Sequence, residues 1–196
     1  QETVMLWILL LLGACGVVGV MVYNRLVIAQ NQYRNAFSQI GVQLQRRHDL
    51  IPNLVAAAKG YLKHENDTFT QVTQARNQAA GVLGGTRPEN AEAVAQLSAA
   101  ETQLTQAVRS LMVQIEAYPD LQAATNMRQL AEEITSTENR IAFARQAYND
   151  AAMGYNTLCQ LFPHKIIAAY FGHRQPAQLL DFPDRAKHQV PPEVRF

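Results

Sequence analysis

Hydrophobic positions along this chain follow two patterns, the first continuous and the second periodic. From Val4 to Val22 there are 19 residues without a charge. At about 1.5 Å per residue this stretch predicts a helix of roughly 28 Å, long enough to cross the hydrocarbon core of a bilayer. Trp7 and Tyr23 stand near its two ends, where amphipathic rings favour the membrane interface. Beyond it, Leu26, Gln30, Tyr33, Phe37, Ile40 and Leu44 recur at alternating steps of four and three, a heptad seam with one polar position. No helix breaker separates the two patterns, so a single rod is expected to emerge from the membrane.

Punctuation divides the rest. In "RRHDLIPNLV" Asp49 is a candidate N-cap and Pro52 fits the first turn of a new helix, so the chain is expected to reverse there. A second helix then runs to about Gln78 with Leu54, Ala58, Leu62, Phe69 and Val72 inward. "GVLGGTRPEN" reads as a loop. The third helix carries Val94, Leu97, Leu104, Val108, Leu111, Ile115 and Tyr118 in register, with Glu101 as the one exception. "YPDL" ends it, Asp120 being placed to cap the fourth helix, whose stripe runs through Met127, Leu130, Ile134, Ile141, Ala144, Tyr148, Tyr155, Leu158 and Phe162 to Pro163.

Four amphipathic helices with short connections predict an all-α fold, an N-terminal transmembrane helix continuing into an elongated antiparallel four-helix bundle. The predicted segments are an anchor at 1–23, the bundle at 24–162, a short apolar helix at 163–174 and a proline-rich tail at 175–196 without regular structure. The fourth helix returns toward the membrane and brings "FPHKIIAAYFGHR" to its surface. With Lys165 and Arg174 beside them, Ile166, Ile167, Tyr170 and Phe171 suit an interfacial helix, and they equally suit a cap on the bundle end.

Composition narrows the function classes. Alanine and glutamine abound, and a formal charge of +1 gives no reason to expect nucleic acid. Leu12-Gly13-Ala14-Cys15 resembles a lipoprotein cleavage site, but no Lys or Arg precedes it and apolar residues continue well past the cysteine. Gly13, Gly16 and Gly19 instead form an oblique groove on which another span can pack. Arg25 and Arg34 follow the span and none precedes it, which predicts an outside N-terminus and a cytoplasmic bundle.

Polar residues cluster at Arg46, Arg47, His48, Asp49, Glu138, Asn139, Arg140, Arg145 and Asn149. An acid–base reading would pair His48 with Asp49 or Glu138. The structural reading, an interhelical network fixing register, is preferred because no nucleophile or catalytic motif accompanies them. Neither "KHE" (Lys63-His64-Glu65) nor the scattered His164, His173 and His188 has ligand spacing. No catalytic residue, metal or cofactor is therefore assigned.

These residues also carry a resemblance. "YNRLV", "VQLQRRHDLIPNLV", "GYLKHE", "YPDL" and "STENRIAFARQAYNDAAMGYN" with "LFP" closely resemble the LemA family of bacterial membrane proteins, from the span to about Gly172. The resemblance implies one N-terminal span, a cytoplasmic helical bundle and no established enzymatic activity. A magnetosome member linked to internal membranes makes membrane organisation the expected role. The expected protein is a non-enzymatic scaffold that contacts the lipid bilayer, forms homo-oligomers and organises the membrane. The alternative is a regulatory adaptor for another membrane protein, such as a protease or sensor.

Overall fold

A computed structural model describes residues 1–62, 65–173 and 175–181, apart from the side chain of Gln122. The described residues form α1 (Glu2–Lys59), α2 (Asn66–Leu83), α3 (Ala91–Glu116), α4 (Pro119–Ala123), α5 (Thr125–Gln160) and α6 (His164–Tyr170), with no strand among them. Lys63, His64, Arg174, His188 and the tail prolines Pro183, Pro191 and Pro192 lie outside the described residues.

α1 is a single helix of 58 residues, roughly 87 Å long at the usual rise. Its apolar N-terminal part is exposed from Val4 to Val18 and buried only at its end, at Val22, and it is long and apolar enough to cross a membrane. The seam residues Leu26, Tyr33, Phe37, Ile40 and Leu44 are buried, as their rhythm predicts.

The break expected at Asp49 and Pro52 does not occur. α1 continues through Pro52 to Lys59, and the same three-and-four rhythm carries on through Arg47, Ile51, Leu54 and Ala58, all buried. A proline inside a helix removes the N–H that would bond the carbonyl four residues back. Here that carbonyl belongs to His48, and Arg76 of α2 reaches across to donate its Nε–H to it at 3.1 Å. A neighbouring helix supplies the donor that the proline removes. Asp49 therefore caps nothing; it is exposed and accepts from Gln45 Nε2 at 2.8 Å. The reversal falls between Lys59 and Asn66 instead.

Cross-chain contacts give the topology. Tyr33 faces Tyr155 with ring centroids 4.9 Å apart, and Phe37 faces Tyr148 at 5.3 Å, so α1 and α5 run antiparallel. Gln114 donates to Thr68 at 3.0 Å, pairing α3 with α2. Glu89 lies by Arg34 and Glu101 by Arg47, so α3 runs in the same direction as α1, reached by long side chains across the bundle. The bundle is thus up-down-up-down. Its apolar core is in two parts, a distal cluster around Ile51, Leu54, Phe69, Leu104 and Met127 and a proximal one around Tyr33, Leu44, Leu97, Tyr148 and Tyr155.

Helix ends follow local chemistry. Asn90 caps α3, its side chain accepting from Ala93 N at 3.1 Å. Pro119 opens the short α4 with Tyr118 as N-cap; Asp120 sits in that helix's first turn and does not cap the long helix, which starts at Thr125. Phe162, expected on the inward stripe, is exposed because α5 has ended before it. Residues 175–181 have no helix or strand.

Arg76→Met should lower stability in urea unfolding by about 1–3 kcal/mol, the usual cost of an orphaned buried polar group. Adding Pro52→Ala restores a helical N–H and should recover most of that loss. A further loss in the double variant would count against the compensation.

Candidate functional site: a buried charge layer, an apolar collar and a clamped segment

Between the two apolar clusters lies a polar layer. Arg47 occupies a seam position of α1, and Glu101 the one polar seam position of α3. Arg47 Nη2 donates to Glu101 Oε2, and Nη1 donates to Glu138 Oε1 at 2.6 Å and to Thr105 Oγ1 at 3.0 Å. His48 Nε2 meets Glu101 Oε1 at 2.9 Å. A carboxylate only accepts, so Nε2 carries the hydrogen. Arg47, His48 and Glu101 are buried, whereas Glu138 reaches the surface. Burial works against the Arg47 charge, but Glu101 and Glu138 outweigh it and hold the guanidinium above its ordinary value.

Such a layer carries little net stability, because desolvating each charge cancels much of its attraction. Its effect is on register. Sliding α1 by one turn against α3 or α5 would bury Arg47 without a carboxylate. His48 and Glu101 are closed off from solvent, and Asp49 lies outside the layer, paired with Gln45. Among the described residues no three His, Cys, Asp or Glu side chains gather as a metal site would require.

The second feature is α6. Ala168 and Ile167 pack on Val22 and Leu26, where the apolar stretch of α1 ends. Tyr23 stacks on Phe171 with centroids 5.1 Å apart. The opposite face is bare: Phe162 is 80%, Tyr170 85% and Phe171 63% exposed, with Leu161 and Ile166 half exposed. One face of α6 thus caps the bundle, and the other forms an apolar collar beside the foot of the span.

After α6 the chain turns through Gly172, in the left-handed region at φ 84°, into an extended segment. His173 is buried; its N–H bonds Ala168 O at 3.1 Å and its Nδ1 meets the Tyr155 hydroxyl at 3.0 Å. Burial, with help from Arg34, holds its imidazole below the usual histidine range. Burial likewise pushes up the Tyr148 and Tyr155 hydroxyls and the Cys159 thiol. Asn156 and Asn149 then grip the backbones of Ala177 and Leu180. A recess of about 400 Å³ opens beside this turn, lined by Cys159, Lys165, Ala168, His173 and Pro176 among others.

Family comparison bears on these features directly. The model of the LemA family matches residues 36–196, most of the chain. The chain belongs to the LemA family. It is 25% identical over 174 residues to the magnetosome proteins MamQ 1 and MamQ 2 of Paramagnetospirillum magneticum (strain ATCC 700264 / AMB-1). It is 24% identical over 172 residues to magnetosome protein MamQ of Magnetospirillum gryphiswaldense (strain DSM 6361 / JCM 21280 / NBRC 15271 / MSR-1). Each alignment covers 79% of this chain and 63% of the relative, so the chain spans less than two thirds of their length. The family match begins beyond the apolar stretch of α1 and includes the tail, whereas the motifs in the sequence suggest a likeness running from the span to about Gly172.

Within this LemA-family chain, the residues grouped by sequence as one polar network separate. Arg47, His48 and Glu138 meet in the layer; Arg46, Asp49, Asn139 and Arg140 are exposed, Arg145 is half-buried, and Asn149 binds Leu180. Sequence reasoning missed Glu101, Thr105 and Arg76 as partners. A signal was present, since Glu101 interrupts an apolar seam, as Arg47 does on α1. Asn156 and His173 also went unassigned. Of the interface residues, Tyr23, Ile166, Tyr170 and Phe171 are exposed, while Ile167 turns inward. Trp7 is exposed on the apolar stretch, and Gly13, Gly16 and Gly19 face open space.

Arg47→Met should cost about 3–5 kcal/mol, because it leaves two carboxylates facing each other without a cation. Asn139→Ala, at the exposed neighbouring position, should stay within about 0.5 kcal/mol in the same urea titration. pH gives an independent check. A histidine held below its unfolded pKa binds fewer protons folded than unfolded, so its contribution is present above about pH 6.5 and fades as pH falls through the lower folded value. The protection factors of the amides in residues 177–181, exchange rates taken relative to the intrinsic rate at each pH, should therefore fall on acidification below about pH 6.5, and His173→Gln should flatten that dependence.

Proposed function

We propose that this protein is a non-enzymatic scaffold, anchored by the N-terminal part of α1 in the bacterial inner membrane, that self-associates and organises or remodels the bilayer. The observation that carries the reading is the collar. The short helix α6 and its flanks present Phe162, Ile166, Tyr170 and Phe171 outward, level with Val22 and Leu26, and have lipid beside them once α1 spans. Apolar side chains inserted at headgroup depth on one side of a span displace lipid in one leaflet only, which favours curvature. Exposed Lys165 beside them suits anionic headgroups. The magnetosome relatives are in keeping with a role at membranes. Arg25 and Arg34 favour a cytoplasmic bundle with the N-terminus outside. The open face of Gly13, Gly16 and Gly19 is free to pack on another span.

A second reading, an adaptor for another membrane protein such as a protease or sensor, draws on the far tip. An open groove of about 530 Å³ there is lined by Met112, Ile115, Pro119 and Met127, with Val113 and Tyr118 exposed nearby.

Reconstitution in liposomes tests the scaffold. The protein should assemble beyond a monomer by mass and change vesicle shape by electron microscopy, and Ile166→Ser with Phe171→Ser should abolish the shape change while leaving urea stability unaltered. In a Trp7→Phe background, Ile166→Trp fluorescence should be quenched by brominated lipid, whereas Phe143→Trp, exposed midway along the bundle, should not. Monomeric protein on unaltered vesicles would sink the reading.

A further inference from the structure

Residues 176–181 are held chiefly through their main chain, the way proteins hold extended peptides. Asn149 and Asn156 lie seven residues apart on α5, about 10.5 Å along the helix axis. The residues they grip, Ala177 and Leu180, lie three apart, about 9 Å in a chain with the three-residue period of polyproline II, which puts both on one side. Because the spacings match, each asparagine meets one residue at both its polar ends. Asn156 Oδ1 accepts from Ala177 N at 2.8 Å and its Nδ2 donates to Ala177 O at 2.9 Å. Asn149 repeats the arrangement on Leu180 at 2.9 and 3.0 Å. The Tyr148 hydroxyl donates to Gln178 O, Gln178 N donates to Pro88 O at 3.2 Å, and Ser98 Oγ donates to Asp181 O.

Side-chain selection is confined to two positions. Ala177 and Leu180 are buried in the proximal cluster with Tyr33, Phe37 and Tyr148, while Pro176, Leu179 and Asp181 remain exposed. The groove thus accepts an extended strand with a small residue and, three positions on, a leucine. It has no means of telling which chain carries that strand.

We propose that this groove between α3 and α5 is an extended-peptide site, and that the strand it exchanges is residues 176–181 of a second copy. The proposal rests on the membrane-anchored, self-associating reading above. Copies spanning one bilayer hold their grooves at the same height, and confinement to that plane raises the effective concentration of the matching strand. Release from its own groove is a local event: it exposes Ala177 and Leu180 and hands the hydrogen bonds of one short segment back to water, leaving the helices packed. His173 stays bonded to Ala168 O and Tyr155, so α6 keeps its place. Four linkages from His173 reach about 14 Å, so exchange requires two copies to meet groove to groove about a two-fold axis normal to the membrane.

The test uses the full-length protein in liposomes, with Cys15 and Cys159 replaced by alanine. One chain carries Ser98→Cys and a differently tagged chain carries Asp181→Cys; the two are co-produced and treated with a short bis-maleimide. The expected result is a cross-linked product carrying both tags. Asn149→Ala with Asn156→Ala in both chains should reduce it at least tenfold. A chain carrying both cysteines serves as the geometric control. Cross-linking only within that chain, with none between the tagged chains, would overturn exchange, and so would a mixed product that survives loss of both asparagines. Absence of any cross-link in either arrangement overturns it too, because the strand is then not in the groove. Mass measurement on the same vesicles separates the two levels. Assemblies without mixed cross-links refute exchange alone, and monomers refute self-association with it.

Discussion

The contact between Arg47 and Glu101 sets the bundle's register. Helices that meet through heptad seams of leucine, isoleucine and tyrosine can slide by a turn and still bury apolar surface. Arg47 cannot slide, because its guanidinium has carboxylates on both sides, Glu101 from α3 and Glu138 from α5. His48 occupies the second oxygen of Glu101, and its carbonyl receives Arg76 from α2. All four bundle helices thus meet at one level, between a distal and a proximal apolar cluster. What this layer adds is specificity of alignment more than free energy.

Alignment at that level has consequences at the membrane end. With α1 and α5 locked, Tyr33 meets Tyr155 and Phe37 meets Tyr148, and α5 ends where α6 can fold back onto Val22 and Leu26. The same alignment places Asn149 and Asn156 along one line of α5, with the Tyr148 hydroxyl reaching the same segment from beside them. Collar and groove both depend on a charge layer remote from them. Alignment in the middle of the bundle thus fixes both the exposed apolar face beside α1 and the main-chain clamp on α5.

Much of this was legible from residue order. The seams of α1, α3 and α5 appear as periodicity, and the exposed apolar stretch as length without charge. Pro52 shows where local rules mislead. A proline with a capping aspartate before it reads as a helix start, yet the seam continues undisturbed through Arg47, Ile51, Leu54 and Ala58. Giving that rhythm more weight than the punctuation would have kept α1 whole. Glu101 was visible as an interruption of an apolar seam, but its partners lie 53 and 54 residues away on another helix. Nothing in "QPAQLLD" distinguishes a clamped strand from a loose tail.

By itself, then, the sequence determined the all-α class, the number of long amphipathic helices, the membrane-length apolar stretch and the family. These depend on local periodicity, composition and motif, which act over a few turns of chain. Tertiary structure alone decided that α1 passes through Pro52, which charges share the layer, which face of α6 is bare and where residues 176–181 lie. Each of those outcomes needs a hydrogen bond or a packed surface from a helix distant in sequence, such as Arg76 for the His48 carbonyl or Asn149 for Leu180. Local propensity carries no information about such partners until the bundle has set its register.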